Sequence, residues 1–242
     1  MSRLVYGIRP VAEVLKRWER PIQCLLVSKK EQHRAFLSAA ESRKIPIYFN
    51  TGLELDQLCG TSSHQGIVAV VGDYPYLNLH DLLVAGKGTA APLLVVLDSV
   101  TDPQNLGAIL RSALVLGATG IVLPKDRAAP ITPTVVRVSA GASEHLPCAR
   151  VTNLAAALKE MKQAGLWVAG AVERGGAVPD QADLAGPLAL VLGNEQKGIR
   201  PLVQRGCDML LTIPSHSNIA SLNVAAAATA LLSEVARQRR GQ

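Results

Sequence analysis

Apolar residues in this chain are spaced in two different ways, and the change falls near residue 93. Upstream they recur at helical or alternating intervals. In residues 7–19, Val11, Val14, Leu15 and Trp18 repeat every three or four positions, which predicts an amphipathic helix. Residues 22–27, 45–49 and 66–71 read as short strands, 30–43 as a polar helix and 53–58 as a shorter helix. Residues 73–92 carry Pro, Gly and a Thr-Ala-Ala run without a sustained period, apart from a short helix over 79–84, and read as a linker.

From residue 93 the apolar runs become continuous: 93–97, 121–123, 167–169, 188–192 and 209–213. They alternate with helical stretches at 106–116, 132–139, 153–163 and 222–239. Strands of this kind are buried on both faces, so the pattern predicts a parallel sheet flanked by helices. The division is therefore 1–72, a small α/β domain; 73–92, a linker; and 93–242, a larger parallel-sheet α/β domain. Ligands of such sheets bind beyond the carboxyl ends of the strands, which directs attention to the loops after Leu97, Leu192 and Ile213. The last of these leads into an Ala-rich helix with Ser221 and Asn223 placed to cap it. That helix has almost no polar face before residues 233–237, and is expected to be buried on all sides by its own domain or a partner.

Composition adds modest constraints. The chain is 48% hydrophobic but only 3% aromatic, so the core is aliphatic. Net charge is +6, and residues 1–72 hold ten Lys/Arg against six Asp/Glu, with Arg3, Arg9, Lys16, Arg17 and Arg20 near the start. This favours an anionic partner without specifying one, since a solvated face gives the same count. Cys24, Cys59, Cys148 and Cys207 form no C-x-x-C pair and read as small buried hydrophobes of a reducing cytoplasm. No leader-like or membrane-spanning run is present, so a cytoplasmic protein without membrane attachment is expected. The five His show no ligand spacing, so no metal site is expected. No G-x-S-x-G elbow, P-loop or G-x-G-x-x-G fingerprint occurs.

Three strand ends concentrate polar residues and glycine. After Leu97, Asn105 stands at the start of a helix whose Leu106, Ile109, Leu110 and Ala113 share a core face. Arg111 falls off that face, one turn beyond Gly107, whose missing side chain leaves room for a phosphate or ribose over the guanidinium. After Leu192, the run Gly193-Asn-Glu-Gln-Lys-Gly198 permits tight turning and close approach of backbone to a ligand. The third is the segment that opens with Ile213 and Pro214.

In this order the three blocks resemble the motifs of the SPOUT superfamily of RNA methyltransferases, in its TrmH/SpoU branch. The first motif matches at Asp98, Asp102, Pro103, Asn105, Gly107 and Arg111; the second at Gly193, Glu195 and Gly198; the third at Ile213, Pro214, Ser221, Leu222, Asn223 and Val224. Residues 124–127, 139–142, 64–67 and 6–8 also fit. Two positions depart from the pattern: Ser215-His-Ser-Asn218 replaces a glycine after Ile-Pro, and Gln196 stands where Gly is frequent.

The resemblance implies a C-terminal α/β domain with a trefoil knot and an N-terminal RNA-binding domain. It implies S-adenosylmethionine (SAM) as cofactor, bound by Gly193, Ile213, Leu222, Leu123, Asn194 and Pro214. It implies a catalytic set of Asn105, Arg111, Glu195, Ser221 and Asn223, with Arg9, His64, Gln65 and Arg111 meeting RNA. Asn105 and Asn223 would orient the ribose or Arg111, and Glu195 would fix Arg111 or its own loop. Length and layout are most like the branch that methylates a guanosine ribose in the peptidyl-transferase region of 23S rRNA, on free rRNA or a pre-ribosomal particle. A homodimer through the C-terminal domain is also implied. Methylation of tRNA ribose, or RNA binding without catalysis, are the alternatives.

Overall fold

The computed structural model describes residues 2–17, 21–28, 30–86, 88–89, 91–215 and 222–241. Trp18, Arg20 and Ser221 lie outside them, as do residues 216–218 of the departing segment. In chain order the first elements are β1 (Ser2–Tyr6), α1 (Ile8–Lys16), β2 (Ile22–Val27), α2 (Arg34–Ser42), β3 (Ile47–Phe49), α3 (Gly52–Cys59) and β4 (Ile67–Gly72). There follow α4 (Leu79–Gly86), β5 (Leu93–Leu97), α5 (Pro103–Val115), β6 (Gly120–Pro124), α6 (Pro133–Val138), β7 (Cys148–Val151) and α7 (Leu154–Gln163). The last are β8 (Trp167–Ala171), β9 (Leu188–Leu192), α8 (Pro201–Gln204), β10 (Met209–Leu211) and α9 (Val224–Arg240). Among the described residues no helix is long and apolar enough to cross a membrane.

The chain forms two compact units. Unit 1 comprises Met1–Pro75 with Ile131–His145, and unit 2 comprises Tyr76–Pro130 with Leu146–Gln242. This departs from the expected division in one segment, because 131–145 was read as part of the C-terminal domain. The physical reason is a buried polar cluster. Arg3 donates from Nη1 and Nη2 to the Glu144 carboxylate at 2.8 and 3.2 Å. Tyr74 Oη donates to the Ser143 carbonyl at 2.9 Å, and His145 meets Glu13 at 2.6 Å. Glu144 is 1% exposed, and a charge so buried needs its partner.

Unit 1 holds a four-stranded sheet of order β1-β4-β2-β3, with β4 antiparallel to β1 and β2 and β3 parallel to β2. The spacing argument overlooked β1, although Val5 is fully buried there. Thr51 starts α3 with a capping box: Glu54 N donates to Thr51 Oγ1, and Thr51 N to Glu54 Oε2.

Unit 2 holds a six-stranded sheet of order β10-β8-β9-β5-β6-β7, in which every recorded pairing is parallel. Every residue of β5, β6 and β9 is buried, as their unbroken apolar runs predict. The short strand β7 was not predicted. Residues 73–92 contribute to this core. Leu79 and Leu82 are buried in it, and Leu77 exchanges backbone hydrogen bonds with Cys148 and Arg150. The predicted core face of α5 is fully buried at Leu106, Ile109, Leu110 and Ala113.

The terminal helix is covered by its own domain on one side. α9 buries Val224, Ala225, Ala228, Leu231, Leu232 and Val235, while Ala226, Thr229, Ala230 and Ser233 are exposed within this chain. Ser112 on α5 and Thr229 on α9 are hydrogen-bonded at 2.8 Å.

Candidate active site

Because the strands of unit 2 are parallel, their carboxyl ends share one edge, and the three motif loops leave from it. β5 delivers Asp98 to that edge with no exposed surface at all. Ser99 turns the chain at φ 66°. Asp102 then caps α5, its carboxylate accepting from Gln104 N at 2.9 Å, with Pro103 in the first turn. This places Asn105 in that first turn and leaves Arg111 exposed further along the helix. Gly107 is buried rather than open, contrary to the room expected above the guanidinium.

After β9 the chain folds back at once. Asn194 N donates to the Gly198 carbonyl at 3.1 Å, and Gly198 N to the Asn194 carbonyl at 2.8 Å. Gly198 has φ 63°, and Gln196 N donates to Asn194 Oδ1 at 2.9 Å. Gly193 is required for a different reason. A Cβ there would lie 2.2 Å from the Gly198 carbonyl carbon and 2.3 Å from Ile199 N, where backbone cannot yield. The tip carries Glu195, Gln196 and Lys197, all exposed.

Two fastenings hold this loop to the end of β5. Asn194 Nδ2 donates to the Ser99 carbonyl at 3.1 Å. Arg200 donates to the buried Asp98 twice, from its backbone N to Oδ2 at 2.8 Å and from Nε to Oδ1 at 2.7 Å. Sequence reasoning missed Arg200. The available signal was an aspartate directly after a fully buried strand, which must find a cation and N–H donors once folded.

Above the fastenings runs a chain of side chains from three loops. Asn105 Nδ2 donates to Glu195 Oε1, and Asn105 Oδ1 accepts from Asn223 Nδ2 at 2.9 Å. Asn223 Oδ1 in turn accepts from Ala225 N at 2.9 Å and so caps α9. A carboxylate only accepts, which orients Asn105; the orientation of Asn105 then dictates that of Asn223. Glu195 thus pairs with Asn105, and Arg111 stands outside this relay. Among the described residues Arg111 makes no hydrogen bond or ion pair.

Beside the relay lies a cavity of about 710 Å³. Gly193, Asn194, Glu195, Ile213, Pro214 and Leu222 line it, with Ser215 at the departing segment. Leu123 is not in the lining; it is fully buried within β6. The remaining predicted residues belong to unit 1. Arg9 is exposed on α1. His64 is 5% exposed and bonded on both ring nitrogens, to Asp56 Oδ1 at 2.8 Å and to Gly66 N at 2.9 Å. Gln65 Oε1 accepts from Ile8 N at 2.9 Å, completing the start of α1 where Gly7 offers no side chain.

Residues 92–233 match the SpoU rRNA Methylase family, and residues 4–77 match the RNA 2'-O ribose methyltransferase substrate binding family. An uncharacterized tRNA/rRNA methyltransferase of Synechocystis is 40% identical over 98% of this chain, which spans 62% of that relative's length. The 23S rRNA (guanosine-2'-O-)-methyltransferase RlmB of Shewanella oneidensis is 39% identical, with 98% of each chain covered. Among solved structures, the SpoU methyltransferase AviRb from Streptomyces viridochromogenes in complex with the cofactor AdoMet superposes with a TM-score of 0.84. It is 30% identical over 100% of this chain and 92% of its own. The chain belongs to the SpoU rRNA methylase family.

Proposed function

We propose that this chain methylates the ribose 2′-hydroxyl of a guanosine in 23S rRNA, with SAM as the methyl donor. The observation that carries the reading is the Glu195–Asn105–Asn223 relay beside a cavity that Glu195 lines, walled by Gly193, Ile213, Pro214 and Leu222 together with polar side chains of the same loop. The cavity volume falls in the range of small-molecule sites. Gly193 brings backbone to its wall without a side chain, and Ile213 and Leu222 offer apolar contact. Gly193, Asn194, Ile213, Pro214 and Leu222 would hold SAM, which supplies an electrophilic methyl group.

The remaining work falls to the chain itself. Asn105 is held by Glu195 and Asn223 and so fixes Glu195, the relay member that lines the cavity, and positioning supplies much of the rate in such transfers. A guanidinium carries five N–H donors and no acceptor, which makes Arg111 unsuited to act as a base. It would grip the phosphate beside the target ribose and stabilise the developing alkoxide, leaving the proton to that phosphate or to water. Ser221 would complete the start of α9. From unit 1, Arg9 would offer an exposed cation to RNA, whereas His64 and Gln65 are engaged with Asp56, Gly66 N and Ile8 N. A trefoil knot in the C-terminal chain is supported by Ala177, which bonds to the edge of β10 opposite β8: its N donates to the Leu210 carbonyl at 2.8 Å and its carbonyl accepts from Thr212 N at 2.9 Å. A homodimer through unit 2 is supported by the exposed Ala226–Ala230 side of α9 and by Val115, which is 77% exposed on α5.

Arg111→Ala is expected to abolish methyl transfer while calorimetry shows SAM affinity retained. Loss of SAM binding in a folded variant would refute the assignment of Arg111. Primer extension on 23S rRNA at low nucleotide concentration, comparing a deletion strain with its parent, names the modified residue. A stop lost from tRNA instead would move the substrate to tRNA, and RNA binding without any transfer would return the non-catalytic alternative.

A further inference from the structure

The carboxyl edge of the unit 2 sheet has two halves. The cavity borders the ends of β8, β9 and β10. On the other side, beyond β5, the ends of β6 and β7 and the loops that leave them form a continuous basic ledge. Ala129 N donates to the Val100 carbonyl at 3.0 Å, tying the loop after β6 to the loop after β5. Lys125 N donates to the Val151 carbonyl at 2.8 Å, tying the end of β6 to β7. Arg150 then crosses this seam, donating from Nη2 to the Lys125 carbonyl at 3.2 Å with its guanidinium 4.6 Å from the centre of the Tyr76 ring.

The ledge therefore carries Lys125, Arg127 and Arg150. Lys125, Arg127 and Arg111 are exposed, and among the described residues none of them makes an ion pair. The carboxylates nearby are Asp126, which is exposed, and Asp102, which is engaged in capping α5. Lys125, Arg127 and Arg150 outnumber Asp126 of their own loop, and Asp81, at the start of α4 beside the end of β7, is engaged with Asn78. Arg150 differs from a solvated surface charge because stacking on Tyr76 and a backbone carbonyl fix its plane. Residues 99–102 and 125–129 expose no large apolar side chain, whereas a protein interface would need an apolar centre there. Phosphate oxygens are the ligands that a fixed guanidinium and flanking cations recognise.

We infer that this ledge binds the phosphate backbone of the RNA strand flanking the methylated nucleotide, with Lys125, Arg127 and Arg150 as its contacts. The inference rests on the proposed RNA methyl transfer, and adds that the flanking strand runs over β6 and β7 rather than across the cavity. Neutral variants Lys125→Gln, Arg127→Gln and Arg150→Gln, singly and combined, test it with unmodified 23S rRNA transcript as the probe. Affinity is measured by fluorescence anisotropy over a salt series. The plot of log affinity against log salt is expected to flatten by about 0.7 per single substitution and by about 2 in the triple variant. The KM for RNA should rise at least tenfold in the triple variant, with SAM affinity equal to the parent's. Keeping the charge, in Lys125→Arg with Arg127→Lys, should retain the slope.

A triple variant with the parent's slope and KM overturns the ledge while leaving the proposed methyl transfer intact. A parent that binds the transcript with a ledge-dependent slope yet transfers no methyl group overturns the function and leaves the ledge standing. A change of sedimentation behaviour without a change of slope assigns these cations to a protein contact and also overturns the inference. Because Lys125 and Arg127 are exposed, their single variants read the slope even if Arg150→Gln disturbs folding.

Discussion

Two loops of this molecule look alike in sequence and behave differently once folded. Both join polar side chains to glycine at the end of a strand: His64-Gln65-Gly66 before β4, and Gly193 to Gly198 after β9. The first uses its polar groups on itself. His64 bridges Asp56 and Gly66 N, and Gln65 completes the start of α1. The second is fastened from beneath, by Asn194 to Ser99 and by Arg200 to Asp98, and leaves Glu195 and Lys197 at the cavity. A motif match marks residues that a fold cannot change freely. Whether such a residue meets ligand depends on what already satisfies it.

The sharpest way to break this comparison is to add one methyl group to each loop. In Gly193→Ala the new carbon meets the backbone of Gly198 and Ile199, so the turn must open and the cavity wall with it. SAM affinity is expected to fall at least tenfold, or about 1.4 kcal/mol or more. In Gly66→Ala the residue keeps φ 77° and its Cβ would lie 2.6 Å from Ser28 Oγ. That substitution should cost about 1–3 kcal/mol of stability and leave SAM affinity unchanged. Equal losses of SAM affinity in the two variants would show that the loops do not differ in the way proposed.

A smaller effect tests the fastening itself. Arg200→Ala removes the cation from Asp98, which is fully buried, while the Arg200 side chain is 40% exposed. Removing one partner of a fully buried pair costs about 3–5 kcal/mol; solvent on the arginine side reduces this to about 2 kcal/mol. Because the loop would lose one of its ties, SAM affinity should fall severalfold as well. Chemical denaturation together with calorimetry separates the two. Lost stability with unchanged SAM affinity would make Arg200 a structural residue without influence on the cavity.

The difference between the loops also explains what the sequence could reveal. Buried parallel strands announce themselves, because two buried faces demand an unbroken apolar run, and β5 and β9 meet that demand throughout. The loops at their ends were therefore located correctly, and Gly193, Asn194, Ile213, Pro214 and Leu222 do share one cavity. The partners of polar groups were less legible. Asp98 and Arg200 are 102 residues apart, and Arg3 and Glu144 are 141 apart; no local spacing encodes either pair. Leu123 shows the opposite failure, since an apolar residue near a strand end serves the core as readily as a ligand.

The smallest effect distinguishes the loops by pH. His33 packs beneath Gly66, where a Cβ would stand 3.1 Å from its Nε2. It is 2% exposed and stacks edge-on to Phe36 at 5.9 Å. Burial pushes its pKa below the usual 6.5. The unfolded chain therefore takes up a proton near pH 6.5 that the folded chain refuses until lower pH. Stability contributed by neutral His33 is present above about pH 6.5 and is lost as pH falls from there toward the folded value. Protection of the amides of residues 64–67 against hydrogen exchange, corrected for intrinsic rates, should fall between about pH 7.5 and about pH 5.5. His33→Leu should remove most of that fall, because it keeps the site apolar and takes away the titrating group. Amides of 194–198 should show no change on the same substitution, since their loop is tied to Ser99 and Asp98. An undiminished fall at 64–67 in His33→Leu would assign the pH response to another group of unit 1.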